Sequence, residues 1–338
     1  MKQFLTRSLQ FVLCLLAGVL LLWLAFRGMD FAQIAGKFRH ADYRWVWFSL
    51  LFGLGSHLAR AARWRLMCTP FGRTPSFFHT LCAVMTGYII NYVFPRAGEV
   101  ARCVALRKTD GLPFEKLIGS VVAERAVDLL CVLLMLGVLL ACRFDFFGTF
   151  LADNLWAPVQ QRTGGHAVTI LAAGGIVCLL LLVLIFRRLR KTGPDDSRHR
   201  IVRLWNGLLE GLSSVFRLPR RGRFLLFTLL LWAAYFLQTY VVFFAVPATQ
   251  VLQPVDALFV LAMCSLGFAV PVQGGIGAYH WVVSLSLMLY GIAREDGLIY
   301  ATIAHTSGSL LTIFMGFLAL IAVGIIRRKS PNASQNPS

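Results

Sequence analysis

Charged side chains are scarce in this sequence. Only 14% of its 338 residues are Asp, Glu, Lys or Arg, and 58% are hydrophobic, whereas soluble domains carry about 25% charged residues. A water-soluble domain of this length has too few polar side chains to cover so much apolar surface. The composition therefore excludes a soluble protein and indicates a polytopic membrane protein.

Acidic residues are fewer than basic ones: the sequence has 15 Asp and Glu against 33 Lys and Arg, which gives a net charge of +18. Nucleic-acid-binding proteins share such an excess, but here the basic residues concentrate at the ends of apolar runs. Cytoplasmic loops of inner-membrane proteins have this distribution. We therefore expect membrane lipids, with anionic or phosphate-bearing headgroups, as partners and no nucleic acid.

Motifs for catalysis or for metal and nucleotide binding are also missing. The eight cysteines are dispersed without a CxxC pair, and the sequence has no HExxH, no GxSxG and no nucleotide-binding loop. These absences predict that the chain is not an enzyme and holds no cofactor or metal. The first apolar run lacks a small-residue cleavage site, which favours a membrane span over a signal peptide.

Long apolar runs define the predicted fold. Several are close to the ~20 residues that a helix needs to cross a bilayer. They are residues 8–26, 45–66, 117–141, 166–186, 224–246 and 298–326. Two further runs are interrupted, residues 77–94 by Pro95 and residues 257–270 by Pro271. The prediction is an all-α polytopic membrane protein with about six full spans and two Pro/Gly-broken re-entrant hairpins, or about eight membrane segments.

The order of these elements repeats along the chain. Residues 1–141 and residues 166–326 each have the order span, span, broken hairpin, span. If the N-terminus is cytoplasmic and each hairpin leaves on the side it entered, most Lys and Arg lie on the cytoplasmic side. The first half then begins inside and the second outside, so the sequence predicts an inverted repeat in the cytoplasmic membrane, an architecture of transporters.

Three segments complete the predicted organisation. Residues 142–165 form an external loop, and residues 187–223 form a basic cytoplasmic connector with a short interfacial helix. Residues 28–44 are its expected external counterpart. Residues 327–338 form a disordered tail, and both termini are cytoplasmic.

Charged residues inside the apolar runs are the candidate functional residues. Glu124 and Asp128 share a helix face, with Arg125 beside them, at a depth where an unpaired charge costs about 2.5–3.5 kcal/mol. Such residues usually pair and face a cavity. Two interpretations stay open: a translocation site, or a buried ion-pair network that only holds helices together.

The first hairpin tip contains Pro95, Arg96, Gly98, Glu99 and Arg102. A helix that begins near Arg96 places Arg96, Glu99 and Arg102 along one side and directs its N-terminal amides at an anion. Either arginine is suited to a phosphate, whereas Glu99 is suited to Arg125 or to a cationic headgroup. A purely stabilising pairing of Glu99 with an arginine is the alternative.

The second hairpin tip is rich in glycine and lacks charge. Its helix break consists of Pro271, Gly274, Gly275 and Gly277. The polar residues near this break are Gln273, His280 and His305. A single histidine in such a position is more often a packing residue than a proton relay.

The stretch "FPRAGEVARCVALRKTDGLPFEKLIGSVVAERAVDLL" resembles the transmembrane (flippase) domain of lysylphosphatidylglycerol synthases, in the patterns Pro-Arg-x-Gly-Glu-x-x-Arg and Val-Val-x-Glu-Arg-x-x-Asp. The later "VPVQGGIG" is similar to that family's Pro-Gly-Gly-Leu-Gly segment, and the resemblance covers essentially the whole chain. Two positions depart from it: His280 stands where many relatives have Glu, and Thr306 where many have Arg.

The resemblance implies a stand-alone member without the soluble aminoacyltransferase domain, and lipid translocation rather than lipid synthesis. The function that follows is a flippase which moves a polar or phosphate-bearing lipid by alternating access, with the headgroup in a polar cavity between the hairpin tips. A non-transporting scaffold or regulator of a lipid or glycan pathway is the alternative. Participation in phosphatidylglycerol lysyl transfer is a less favoured alternative. A pathway enzyme or a second copy of the chain is left open as a partner.

Overall fold

A computed structural model describes residues 2–143, 218 and 220–329. The chain divides into two compact units, Met1–Met135 with Asn206–Ser338, and Leu136–Trp205. Almost all of the second unit lies outside the described residues, and the helices given below belong to the first unit, apart from the end of the helix that crosses residue 135. The predicted span 166–186, the external loop 142–165 and the interfacial helix of the connector 187–223 also lie outside, apart from residues at their edges.

Helices are the regular secondary structure of the described residues, with no β-strand among them, which confirms the all-α prediction. The helices before the gap are α1 (Lys2–Phe26), α2 (Phe31–Arg39), α3 (Tyr43–Cys68), α4 (Phe77–Val93), α5 (Gly98–Asp110) and α6 (Phe114–Cys142). Those after it are α7 (Arg221–Phe243), α8 (Pro254–Ala269), α9 (Ala278–Met288) and α10 (Arg294–Lys329). Helix α10 extends three residues into the predicted tail.

Two of the described helices are long and apolar enough to cross a membrane, Arg221–Phe243 and Arg294–Ile326. Shorter apolar helices are Val12–Phe26, Phe77–Val93 and Pro254–Ala269. Helices α3 and α6, which carry charged side chains in their middle turns, are not among them. The count of about eight membrane segments and the inverted repeat therefore stay predictions.

Large apolar side chains are exposed along the outer faces of several helices. Examples are Leu16 on α1, Trp47 on α3, Leu134 on α6, Leu229 on α7 and Phe314 on α10, all more than half exposed. Soluble monomers rarely expose apolar surface on this scale, and contact with lipid accounts for it.

The connector between α1 and α3 contains the short amphipathic helix α2, where an external counterpart to the interfacial helix was predicted. Asp30 caps it by accepting a 2.8 Å hydrogen bond from the backbone N–H of Ala32. Lys37 holds it to the start of α10 through Asp296 at 2.8 Å and Glu295 at 3.4 Å. The hydrogen bond to Asp296 raises the pKa of Lys37, so the amine stays charged.

The first predicted break separates α4 from α5. The backbone N–H of Ala97 donates a 3.1 Å hydrogen bond to the carbonyl of Phe94, which closes a turn with Pro95 in its second position and Arg96 in its third. Arg96 has a φ of 64°, in the left-handed region, as the third residue of a type II turn requires. Helices α4 and α5 then fold back against each other.

The second predicted break separates α8 from α9 and depends on glycine. Gly274, Gly275 and Gly277 have φ angles of 58°, 77° and 82°, a conformation that residues with a Cβ rarely adopt. The backbone turns of this segment hydrogen-bond internally, from Gly275 N to the carbonyl of Val272 at 3.3 Å and from Ile276 N to that of Gln273 at 3.0 Å. Both helix breaks therefore fall where the prolines and glycines predict them.

Candidate functional site

The two helix breaks, far apart in sequence, lie next to each other in the fold. Arg96 of the first break donates a 3.1 Å hydrogen bond from Nη2 to the carbonyl of Ala269, the last residue of α8. The ring of Tyr92 lies directly over Gly274, so closely that a Cβ at this glycine would overlap it. Tyr92 also donates a 2.9 Å hydrogen bond to Oγ of Ser309 on α10. These contacts join the first break to both the second break and α10.

A cavity of about 650 Å³ lies between the two breaks. Its charged lining consists of Arg60, Arg96, Glu99, Arg125 and Asp128. Its other polar lining includes His57, Trp232, Tyr235, Gln238, His305 and Thr312. The volume is large enough for a lipid headgroup, and small-molecule sites span about 300–1,000 Å³.

Behind this cavity, Glu124 lies at the centre of a buried charge cluster. Its Oε1 accepts hydrogen bonds from Nη1 of Arg60 and from Nη2 of Arg63, the latter at 3.0 Å. Its Oε2 lies 2.8 Å from Nη2 of Arg102, at an angle that makes an ion pair but no hydrogen bond. The Glu124 side chain is fully buried, so these arginines supply the interactions that water would otherwise make.

Asp128 completes the cluster one helical turn further along α6. Its Oδ1 accepts a 2.7 Å hydrogen bond from Arg63, and its Oδ2 accepts one of 3.1 Å from Arg60. Arg102 also stacks on Trp64, with its guanidinium carbon 4.7 Å from the centre of the indole. Arg60, Arg63 and Arg102 thus surround the two carboxylates, with one positive charge in excess. Arg125 Nη1 also lies 3.9 Å from Oδ2 of Asp128, but its partner Glu99 balances its charge, so the excess is unchanged.

A second, more exposed ion pair joins α5 to α6 at the cavity wall. Arg125 Nη2 donates a 3.1 Å hydrogen bond to Oε1 of Glu99, and the two side chains are 44% and 29% exposed. Pairing of Glu99 with Arg125 is one of the alternatives drawn from the sequence. The pair is partly exposed at the cavity wall, and exposed pairs contribute about 0–1 kcal/mol to stability. Oε2 of Glu99 is buried and makes no hydrogen bond with the described residues, whereas the Arg125 charge is more open to a ligand.

The structure corrects one prediction about the first break. Arg96, Glu99 and Arg102 do not lie along one side of a helix, because α5 begins only at Gly98 and Arg96 belongs to the preceding turn. Arg96 lines the cavity, whereas Arg102 is buried against Glu124 and Trp64 and does not. The turn at Pro95 is the physical reason, since it fixes the chain direction before the helix starts.

The polar residues of the second break form an aromatic cluster. His305 Nε2 donates a 2.8 Å hydrogen bond to the carbonyl of Gly274, and its ring lies 4.8 Å from that of His280. His280 Nδ1 accepts a 3.4 Å hydrogen bond from the backbone N–H of Gly277. Both histidines and Gln273 are buried, but only His305 lines the cavity. The histidines therefore hold the break in shape.

Arg60 and Arg63, in the second half of the apolar run 45–66, were not among the candidate site residues drawn from the sequence, but the structure places both in the buried cluster. Their exposed fractions are 4% and 0%, and both bind the α6 carboxylates. The spacing of three residues within the run 45–66 is the signal that could have shown it, since it puts both on one helix face. Tyr235 and Trp232 carried no comparable signal.

Within residues 2–143, 218 and 220–329, no group of three or more His, Cys, Asp or Glu side chains is arranged to hold a metal ion. The described cavity instead offers hydrogen-bond donors, an ion pair and an aromatic wall. Such a set of groups is suited to binding a polar, charged molecule.

Comparison with known proteins agrees with these motifs. The sequence profile of the lysylphosphatidylglycerol synthase TM region matches residues 10–326. A UPF0104 membrane protein of Pyrococcus horikoshii is 25% identical over 271 residues, which are 75% of this chain and 79% of that protein. No solved structure matches the chain. On the profile match, which covers nearly its whole length, the chain is a membrane protein and belongs to the family of the lysylphosphatidylglycerol synthase transmembrane region.

Proposed function

We propose that this protein moves a lipid with a polar, phosphate-bearing headgroup between the leaflets of the cytoplasmic membrane. The observation that carries the proposal is the cavity of about 650 Å³ to which both helix breaks contribute. Chain breaks at membrane depth are tolerated only where protein or a water-filled cavity satisfies the backbone. In secondary transporters, such breaks mark the substrate site.

The cavity lining favours an amphiphile over a soluble ion. Leu129 on α6 and the pair Leu266 and Phe268 on α8 line the cavity and are also 59%, 48% and 54% exposed. The same wall carries the exposed Glu99–Arg125 pair. A headgroup bound beside that pair would leave its acyl chains next to these apolar side chains, in contact with the bilayer.

The proposed transport mechanism is alternating access around the two breaks. The charged and polar lining replaces the hydration of the headgroup while the two halves expose the cavity to one leaflet and then to the other. In this proposal the halves form an inverted repeat with about eight membrane segments, and both termini are cytoplasmic. The assigned role is movement of a lipid and not a chemical reaction.

The inverted repeat predicts that the ends of the two broken hairpins lie on opposite sides of the membrane. Cysteines introduced as Lys108→Cys and Ala293→Cys, at exposed positions in the last turn of α5 and beyond α9, should react with a membrane-impermeant maleimide from opposite sides of inner-membrane vesicles. The background is the chain with its eight native cysteines replaced by alanine. Labelling of both positions from the same side would overturn the inverted repeat and leave the cavity proposal untouched.

Removing a charge of the Glu99–Arg125 pair should slow transport while leaving the stability of the protein nearly unchanged. In liposomes containing fluorescent phosphatidylglycerol, Glu99→Gln and Arg125→Gln should each slow translocation about tenfold, because each removes a charge that the headgroup meets. Their unfolding temperatures should stay within about 3 °C of wild type, since exposed pairs contribute about 0–1 kcal/mol.

The matched control for both variants is Glu115→Gln, which removes an exposed carboxylate from the first turn of α6 and should transport at the wild-type rate. If wild type translocates none of the lipids tested, with phosphatidylglycerol, phosphatidylethanolamine and lysyl-phosphatidylglycerol compared, the transport proposal is wrong. The non-transporting scaffold would then account better for a charge cluster whose carboxylates are already paired with arginines.

A further inference from the structure

Helix α7 contributes to the cavity wall two residues that carry hydrogen-bond donors. Trp232 and Tyr235 are three residues apart and both line the cavity. Their rings meet edge to face, with centroids 5.7 Å apart. Gln238 continues the same stripe, and its amide lies in the space left by Gly53 and Gly308. Most of the other residues of α7 are apolar, so this polar stripe requires an explanation.

The hydroxyl of Tyr235 has a free hydrogen. Its oxygen accepts two hydrogen bonds from Arg60, from Nε at 3.3 Å and from Nη2 at 3.1 Å. With its lone pairs engaged, the oxygen can only donate its own hydrogen, and none of the described residues accepts it. A phenol that accepts from a guanidinium is polarised and therefore becomes a stronger donor.

The indole N–H of Trp232 is likewise unused. Its Nε1 is buried and has no acceptor among the residues that the structure describes. An indole nitrogen can only donate, and a buried donor without a partner costs about 1–3 kcal/mol. Natural structures rarely retain such a group unless a ligand or water satisfies it.

The positive charge near Trp232 and Tyr235 determines which kind of hydrogen-bond acceptor suits them. Arg60 belongs to the cluster with one positive charge in excess, formed with Arg63, Arg102, Glu124 and Asp128. Water would satisfy the two donors but would not balance this charge. An anion with several acceptor oxygens satisfies both requirements at once.

We propose that Trp232 and Tyr235, backed by Arg60, form a subsite that binds the phosphate oxygens of a lipid headgroup. The inference rests on the proposed function and specifies which groups hold the headgroup within the cavity. The indole N–H and the phenol O–H each donate to a phosphate oxygen, and Arg60 supplies the balancing charge from behind. The Glu99–Arg125 pair is left to interact with the remainder of the headgroup.

Equilibrium binding tests this subsite. The purified full-length protein in nonionic detergent is titrated calorimetrically with dihexanoyl-phosphatidylglycerol, with dihexanoylglycerol, which lacks the phosphate, and with inorganic phosphate. Wild type should bind the phosphatidylglycerol and not the dihexanoylglycerol. Trp232→Phe and Tyr235→Phe should each weaken that binding about tenfold, the effect of one charge-assisted hydrogen bond.

Two control variants match these substitutions. Tyr240→Phe lies on the same helix but packs against Phe236 and Phe244 instead of lining the cavity, and Trp47 is largely exposed on α3. Tyr240→Phe and Trp47→Phe should bind as wild type does. Trp232→Phe is the more direct variant, because the N–H it removes has no acceptor in the described part of the chain, whereas Tyr235→Phe also takes an acceptor from Arg60. Unfolding temperatures measured first show that each variant is folded.

The outcomes separate this inference from the proposed function. If wild type binds and transports the phospholipid but Trp232→Phe and Tyr235→Phe bind it equally well, the subsite is wrong and the transport proposal stands. If inorganic phosphate binds as tightly as the short-chain lipid, the occupant is a free anion and the lipid assignment is overturned. If the tenfold losses appear while no lipid is translocated, the subsite is supported and transport is the part that fails.

Discussion

The replacement Glu124→Gln is expected to lower the apparent unfolding temperature of the purified protein by about 10 °C. The fully buried carboxylate contacts Arg60, Arg63 and Arg102. Removing one partner of a buried ion pair costs about 3–5 kcal/mol, because the opposite charge stays buried without compensation. In this cluster three guanidinium groups would share a single carboxylate, that of Asp128. Thermal unfolding in detergent, followed by circular dichroism at 222 nm, measures the change.

The control is again Glu115→Gln, which makes the same chemical change on the same helix at an exposed position and should unfold within about 1 °C of wild type. A Glu124→Gln protein with wild-type stability but no transport would contradict this reading, since it would assign the cluster to the cargo. The ion pairs of Glu124 with three arginines favour the ion-pair network among the two interpretations that the sequence leaves open for Glu124.

Gly98→Ala should destabilise the protein by about 3 kcal/mol, at the upper end of the range for added volume in a packed core. A Cβ at this position would overlap the backbone carbonyl oxygen of Gly87 and the side-chain amide of Asn91. The Asn91 amide also accepts a 2.7 Å hydrogen bond from the N–H of Gly98, which ties α5 to α4. Since the main obstacle is backbone, the two helices must separate to admit even one methyl group. Chemical denaturation or thermal unfolding measures the loss.

Gly55→Ala is the matched control, because a Cβ there meets no atom within 4 Å and alanine is the better helix former by about 1 kcal/mol. That variant should be as stable as wild type or slightly more so. The comparison is direct, as Gly98 has no left-handed φ and any loss at Gly98 reflects packing alone. Equal stability of the two variants would show that α4 and α5 do not pack as closely as the structure has them.

The helix breaks were predictable because their causes are local. Pro95 removes a backbone donor and sets its own φ, and the glycines after Pro271 permit left-handed angles, so each break is encoded within about five residues. The α6 charges were predictable for a similar reason, since apolar neighbours on both sides make any charge conspicuous. The profile match to residues 10–326 agrees with those same motifs.

The partners of these charges were not predictable from spacing. Arg60 and Arg63 precede Glu124 by 64 and 61 residues, and periodicity relates residues within one helix but not between helices. Their position near the end of an apolar run resembled that of ordinary basic flanking residues. Trp232 and Tyr235 were hidden for another reason: aromatic side chains in an apolar helix look like core or lipid-facing residues until their unpaired N–H and O–H groups are located.

Helix α1, at the start of the chain, packs against the second helix break, which lies near the other end of the sequence. Gly18 and Gly277 allow α1 to cross the second break at backbone contact, and a Cβ at Gly277 would overlap the carbonyl oxygen of Gly18. Arg294 reinforces the crossing with hydrogen bonds to the carbonyls of Leu24 and Ala25, at 2.8 and 3.2 Å. The two halves of the sequence therefore do not pack as separate units, because α1 of the first half covers the break of the second half. If the chain were cut between residues 144 and 217, the helix that covers the second break would be on the N-terminal fragment, so the C-terminal fragment would need that fragment to cover its own break.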